Sequence, residues 1–198
     1  MTKNKILEKI ITPRLILRPL VGDDIESYFE AEQASIKEMG SYWSWAITKS
    51  MDDIKVFIEF SIACHKHLSP QNMYFAIIEK ESNQFLGCIW CQSINWFVPK
   101  FEISYWLDTR KTGNGFMSEA VNALSRAIFD VYYAKRIEIK VFTTNQKSRA
   151  IPERLGFKLD AILKNNFINF ITNEIMDGAL YSCVDIENLP ELSIQVTQ

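Results

Sequence analysis

The sequence predicts a single α/β domain of the α+β kind: a mixed sheet with helices packed on both faces. Three observations lead there. The apolar patterns read strand, helix, helix, three strands, helix, strand, helix, two strands, so strands outnumber helices. Only some successive strands have a helical pattern between them, which excludes a wholly parallel sheet. The chain has 198 residues, 47% hydrophobic and 23% charged, enough to bury a substantial core. No repeat, low-complexity run or Pro/Gly-rich linker divides it, so one domain is expected over 1–198. Its core should span about 10–185, with a frayed polar tail over 186–198.

The elements follow from pattern. Residues 10–18 read as one strand, with Leu15 and Leu17 on one face and Arg14, Ile16 and Arg18 on the other. Pro13 places its start at an edge. Gly22-Asp23-Asp24 is a turn opening a helix over about 25–37. A second helix runs over about 51–68, with Ile54, Phe57, Ile58 and Ile62 near helical spacing and Ser50 or Asp52 as cap. Strands at 73–80 and 84–92 form a hairpin around Glu81-Ser82-Asn83. A strand at 101–107, a helix over 115–131 and a strand at 136–143 come next. The helix presents Ala120, Val121, Leu124, Ile128 and Val131 on one face. A short helix at 146–155 stops at Gly156. Strands at 157–163 and 179–185 close the sheet, joined through Asn165-Asn-Phe-Ile-Asn-Phe.

Charge and cysteine content exclude other classes. Lys+Arg is 22 against Asp+Glu 24, a net charge of −2, so no basic excess marks a nucleic-acid binder. The chain shows no run of about 18 apolar residues for a membrane span and no secretory leader. A cytoplasmic protein is expected. Four cysteines suit a reducing compartment. Cys88-Ile-Trp-Cys91 has redox or zinc spacing, but an odd separation on a strand puts the thiols on opposite faces. They read as ordinary buried thiols. His65 and His67, two apart on a helix, do not face each other and read as surface residues. No metal site is expected.

The chemistry concentrates in Tyr105-Trp-Leu-Asp-Thr-Arg110-Lys-Thr-Gly113-Asn-Gly115-Phe-Met. A strand ends, a basic pair follows, two glycines flank Asn114, and a helix begins. Such a loop can aim several amides and a helix dipole at a pyrophosphate, with Arg110 and Lys111 adding charge. A glycine-capped strand–helix turn is the alternative. A Walker loop is excluded because no Lys-Ser/Thr follows Gly115. A dinucleotide loop is excluded because Ser118 stands where the third glycine belongs.

A second segment, Asn145-Gln-Lys-Ser148-Arg-Ala-Ile-Pro-Glu153-Arg-Leu-Gly-Phe157, gives the loop its context. With both, the chain resembles the GNAT superfamily of N-acetyltransferases. Arg110 to Gly115 fits the R/Q-x-x-G-x-G/A acetyl-CoA motif. Asn145-x-x-Ser148 followed by Glu153-Arg-Leu-Gly-Phe157 is similar to the RimJ/RimL branch of N-terminal amine acetyltransferases. Thr12-Pro-Arg-Leu-Ile-Leu-Arg-Pro-Leu resembles that branch's first strand. Glu102-Ile-Ser-Tyr-Trp-Leu resembles its E-I-G-Y-W-L strand, with Ser104 replacing glycine, and Asp177-Gly-Ala-Leu-Tyr181-Ser its final strand. The likeness covers about 10–185.

The resemblance implies a mostly antiparallel, twisted sheet with two splayed central parallel strands, 101–107 and 136–143. Acetyl-CoA would lie between them, with no metal. Its contacts would come from Trp106, Leu107, Arg110, Lys111, Thr112, Gly113, Asn114, Gly115, Phe116 and Met117, and from the Asn145 side chain on the pantetheine arm. A primary amine would attack the thioester directly, positioned by the fold and helped by a backbone amide near Leu107. Glu102 is the implied base, against an ion-paired strand residue as the alternative. Across the superfamily a tyrosine acid often stands seven residues after the asparagine. Pro152 occupies that place here, so Ser148 is the implied proton donor, against a helix-capping serine. Trp43 and Trp45, in Tyr42-Trp43-Ser44-Trp45, would wall the acceptor pocket, or else form a core cluster.

The acceptor is expected to be a protein N-terminal α-amine, with polyamines, aminoglycosides or a non-catalytic acyl-CoA-binding role as alternatives. Neutralising an α-amine of pKa near 8 at pH 7 costs about 1.4 kcal/mol, against about 4.6 kcal/mol for lysine. No direct nucleic-acid or membrane partner is expected, and the protein would be a monomer or homodimer.

Overall fold

The computed structural model describes residues 6–43, 50–66 and 71–198. Thr12-Pro13-Arg14 breaks what the sequence reads as one strand. Proline has no amide hydrogen, and the Thr12 amide donates to the Leu15 carbonyl at 2.9 Å, closing a turn. Two antiparallel strands result, β1 (Lys9–Ile11) and β2 (Leu15–Pro19), with Ile10 opposite Leu17. Leu15 and Leu17 are buried on one face, as alternation requires.

After a 3₁₀ turn at Gly22–Asp24, α1 runs over Ile25–Met39. The Asp24 carboxylate does not cap it; it holds the Arg18 guanidinium at 2.7 and 2.8 Å and the Val21 amide at 2.9 Å. Helix α2 (Met51–His65) starts with a reciprocal capping box between Ser50 and Asp53. Then come β3 (Met73–Glu79), β4 (Phe85–Asn95), β5 (Lys100–Leu107), α3 (Phe116–Tyr132), β6 (Arg136–Phe142), α4 (Gln146–Arg154), β7 (Lys158–Ile168), β8 (Ile175–Cys183) and β9 (Gln195–Thr197).

Two expectations near the end are corrected. The Asn165–Ile168 segment belongs to β7, and the turn lies beyond it, closed by the Asn169 amide on the Glu174 carbonyl at 2.9 Å. Asn165 supplies a positive φ of 54° at the irregularity in the pairing. The tail does not fray. Its Pro190 carbonyl accepts from Asn122 and Arg126 of α3 at 2.9 and 2.7 Å, and β9 pairs antiparallel with β1. Gly156 makes room for this return, because a Cβ there would lie 2.4 Å from the Asn188 carbonyl oxygen.

Among the described residues the sheet order is β7-β8-β6-β5-β4-β3-β2-β1-β9. Every pairing is antiparallel except β5 with β6. Two apolar clusters lie on opposite faces. Helix α3 packs over Phe101, Ile103, Tyr105, Ile137, Ile139 and Tyr181. Helices α1 and α2 bury Tyr28, Ile54 and Ile58 against Ala76, Cys88, Trp90 and Trp106. Cys88 and Cys91 are reduced, buried and in different clusters, as their odd spacing requires. No helix of the described residues is long and apolar enough to cross a membrane.

His65 corrects another expectation. Its ring meets Phe75 edge-on at 5.7 Å, both ring nitrogens are buried, and it is no surface histidine. Burial lowers its pKa below the ordinary histidine value, with Glu8 opposing. His67 lies outside the described residues. A lowered pKa means that the unfolded chain takes up the proton first, so folding stability should fall as pH drops through about 6.5. Urea denaturation at pH 7.5 and 5.5 should show a larger loss for wild type than for His65→Phe. Equal losses would remove His65 from the acid response.

Candidate active site

The site begins where β5 and β6 part. They pair only at Lys100–Arg136, Phe101–Ile137 and Glu102–Glu138. On its other side β5 stays in register with β4 from Gln92–Glu102 to Gly87–Leu107. The Asp108 amide donates to the Leu86 carbonyl at 2.8 Å, which fixes the phase of that ladder. By antiparallel alternation, the main chains of Trp106, Ser104 and Glu102 bond β4. The N–H and C=O groups of Ile103, Tyr105 and Leu107 then point toward the gap that β6 has left. Gly87 allows this close pairing, since a Cβ there would lie 2.3 Å from the Trp106 carbonyl oxygen. Trp106, expected at the cofactor, turns its ring to the other core, edge-on to Tyr28 at 5.0 Å. Leu107 faces the gap.

The gap leads to the loop before α3. Gly113 and Gly115 have φ of 85° and 77°, left-handed values that favour glycine. Among the described residues, the amides of Gly113, Asn114, Gly115, Phe116, Met117 and Ser118 have no acceptor. Phe116 and Met117 bury their side chains in the core and contribute amides to this end of α3. Amides so placed at a helix N-terminus can receive an anion.

The basic pair is engaged within the fold. Arg110 bonds Asp108 at 2.6 Å and Glu30 at 2.9 Å, which raises its pKa further. Lys111 reaches Gln84 at 2.7 Å, and Thr112 bonds the Thr109 carbonyl. The Asn114 amide group folds back on the Lys111 carbonyl. Two cations flank the loop whose part here sequence reasoning missed, Arg154, which donates to the Ser118 hydroxyl at 2.7 Å, and Arg14. Arg14 pairs with Glu119 at 2.6 Å, donates to the Asn114 carbonyl at 2.9 Å and lies over the Phe116 ring. Its signal was its place beside Pro13, in the turn that a single strand would have straightened.

The far wall is α4. The Asn145 side-chain oxygen caps it by accepting from the Ser148 amide at 3.1 Å, which leaves its NH₂ group for a ligand. The Ser148 hydroxyl has no hydrogen-bond partner among the described residues. The Ser148 carbonyl accepts from the Tyr105 hydroxyl at 3.0 Å.

Glu102 lies on the opposite face from α4. It is buried, accepts from Gln92 at 2.9 Å and pairs with Lys140 at 2.7 Å. The structure therefore sets Glu102 and Ser148 on either side of the gap. Trp43 packs on Trp90 at 5.5 Å, on the same face as Glu102; Trp45 lies outside the described residues. At the mouth, Tyr42 meets Phe142 at 5.0 Å and Phe142 stacks on Phe167 at 4.3 Å. The aromatic run at 42–45 flagged one member of this cluster, but Phe142 and Phe167, on two distant strands, left no sequence signal for it.

A splayed parallel pair, a glycine-shaped loop of amides and a capped helix across the gap can together hold an extended ligand that ends in phosphates. Residues 14–158 match the family described as acetyltransferase (GNAT) domain, and the chain belongs to it. It is an N-acetyltransferase of that family. It is 24% identical over 153 residues to the N-acetyltransferase YoaA of Bacillus subtilis (strain 168), covering 77% of this chain and 84% of that protein. It is 27% identical over 134 residues to the ribosomal-protein-serine acetyltransferase of Escherichia coli (strain K12), covering 68% and 72%. The structure of RimL, a ribosomal α-N-protein acetyltransferase in complex with coenzyme A, superposes with a TM-score of 0.82 at 20% identity, covering 90% and 99%.

The loop's ion pairs differ in worth. Asp108 is buried and accepts from the Arg110 amide as well as its guanidinium, whereas Glu30 is exposed. Asp108→Ala should cost about 1.5–3 kcal/mol and Glu30→Ala under about 1 kcal/mol in chemical denaturation. Equal costs would contradict the anchoring role of Asp108.

Proposed function

We propose that the protein transfers the acetyl group of acetyl-CoA to an α-amine at a protein N-terminus. The observation that carries this is the strand edge at 103–107 facing an opened gap that ends on six amides without acceptors. The gap suits the pantetheine arm and the amides suit a pyrophosphate, so the residues present fit acetyl-CoA. Asn145 would hold the arm with its NH₂ group. The likeness to ribosomal-protein acetyltransferases supports a protein amine as acceptor, and a cytoplasmic setting accords with it.

The amine lone pair attacks the thioester carbonyl carbon, the C–S bond breaks, and N-acetyl amine and CoA thiol leave. The Leu107 amide supports the carbonyl oxygen. Glu102 takes the amine proton through water, and the Ser148 hydroxyl supplies one to the departing sulfur. A thiol's pKa near 8.5 makes a hydroxyl donor sufficient.

Calorimetric titration with acetyl-CoA, with NAD as control, tests the cofactor. Micromolar binding of acetyl-CoA alone supports the reading; its absence overturns it. Gly113→Val, a β-branched residue forced to positive φ on a loop whose amides must converge, should weaken binding at least about tenfold. A panel of peptide N-termini, polyamines and aminoglycosides then identifies the acceptor, and turnover confined to small amines would overturn the protein-amine assignment. Glu102→Gln should lower kcat about 100-fold with acetyl-CoA affinity kept. Ser148→Ala should lower kcat about tenfold on the same terms. Unchanged turnover would remove either residue from its role.

A further inference from the structure

Pro152 lies inside α4. Having no amide hydrogen, it cannot make the i→i−4 bond to the Ser148 carbonyl, which a helix would otherwise supply. That carbonyl sits at the inner wall of the gap, where an orphaned acceptor is costly. The Tyr105 hydroxyl takes it at 3.0 Å. Tyr105 stands on β5, three residues beyond the last pair with β6, and Ser148 stands in the first turn of α4. The bond therefore runs from one wall of the gap to the other. Tyr105 is buried, which pushes its pKa well above the ordinary phenol range, with Tyr181 adding to the effect, so the hydroxyl stays a donor. On the opposite face Lys140 of β6 bonds Glu102 of β5 at 2.7 Å, at the closed end of the gap where the two strands still pair.

We infer that Tyr105 is a positioning residue: through the carbonyl that Pro152 leaves available, it fixes the start of α4, and with it the Asn145 side chain, at a set distance from β5. This rests on the acetyl-CoA reading above and deepens it. The proline standing where the wider superfamily often has a tyrosine thereby gains a purpose: it frees an acceptor for a tyrosine on the other wall.

The test is a double-mutant cycle on acetyl-CoA binding, using Tyr105→Phe, Pro152→Ala and both together. Tyr105→Phe keeps the ring and loses only the hydroxyl. It should raise Kd and KM for acetyl-CoA about 3- to 10-fold, the worth of one hydrogen bond, with kcat falling less than about twofold. Pro152→Ala restores a helical N–H that competes for the Ser148 carbonyl, so it should weaken binding to a similar degree. In the Pro152→Ala background, adding Tyr105→Phe should change Kd by less than about twofold. Denaturation midpoints confirm that each variant is folded. Wild-type affinity in Tyr105→Phe would overturn the inference, as would an equal loss in both proline and alanine backgrounds. A wild-type protein that does not bind acetyl-CoA would instead sink the cofactor reading itself, and this inference with it.

Discussion

Everything at the site depends on β5 and β6 parting after three residue pairs. Parallel neighbours ordinarily continue, because each added pair satisfies main-chain groups that would be costly to bury unpaired. Here the ladder stops at Glu102–Glu138. Beyond it, one side of β5 remains bonded to β4 while the other presents alternate peptide groups to an open slot. The sheet thus holds half a ladder in readiness for something strand-like. An extended arm bearing amides is a suitable guest, and the proposed mode of binding sets its charged head on the loop at the end of the slot.

The loop's chemistry is main-chain chemistry. A reading from composition gives the phosphate contacts to Arg110 and Lys111, yet the fold uses both to brace the loop against Asp108, Glu30 and Gln84. Ser35 of α1 braces it too, accepting from the Thr109 amide at 3.0 Å. What remains for the anion is a set of oriented amides and the end of α3, with Arg14 and Arg154 at their flank. Oriented dipoles need no rearrangement when charge arrives, whereas flexible lysines do. In the proposed mode of binding, the rigidity of the frame is part of what holds the anion.

Local pattern carried most of the fold, and long-range contact decided the rest. The α3 stripe from Ala120 to Val131 is legible because 3.6-residue periodicity records which face meets the core. The loop is legible because glycine has few substitutes at positive φ, whereas the capping role offered to Ser148 falls to Asn145, whose side-chain oxygen accepts from the Ser148 amide. The β1–β2 turn was readable in principle from Pro13, but the apolar alternation around it argued for continuity. Strand β9 was not readable, since a three-residue Gln-Val-Thr segment is too short to carry a pattern, and its pairing with β1 accompanies the long-range anchoring of Pro190 on α3. Histidine 65 failed for a similar reason: its spacing says nothing of Phe75 or of the burial of its ring. The Tyr105–Ser148 contact joins residues 43 apart and depends on the hydrogen that Pro152 lacks.

The setting of Glu102 bears on which amine the site can serve. Its carboxylate has the Lys140 ammonium on one oxygen and the Gln92 amide on the other. A carboxylate so committed is a poor partner for a strongly basic lysine, whose neutral form lies about 4.6 kcal/mol above the charged one at pH 7. An α-amine lies only about 1.4 kcal/mol above, so roughly a tenth of it is already neutral. Little base strength is then required, and the lone pair is delivered by binding and orientation. We propose that Glu102, held on both oxygens, serves amines that need little help to lose a proton, which favours a protein N-terminus over a lysine side chain.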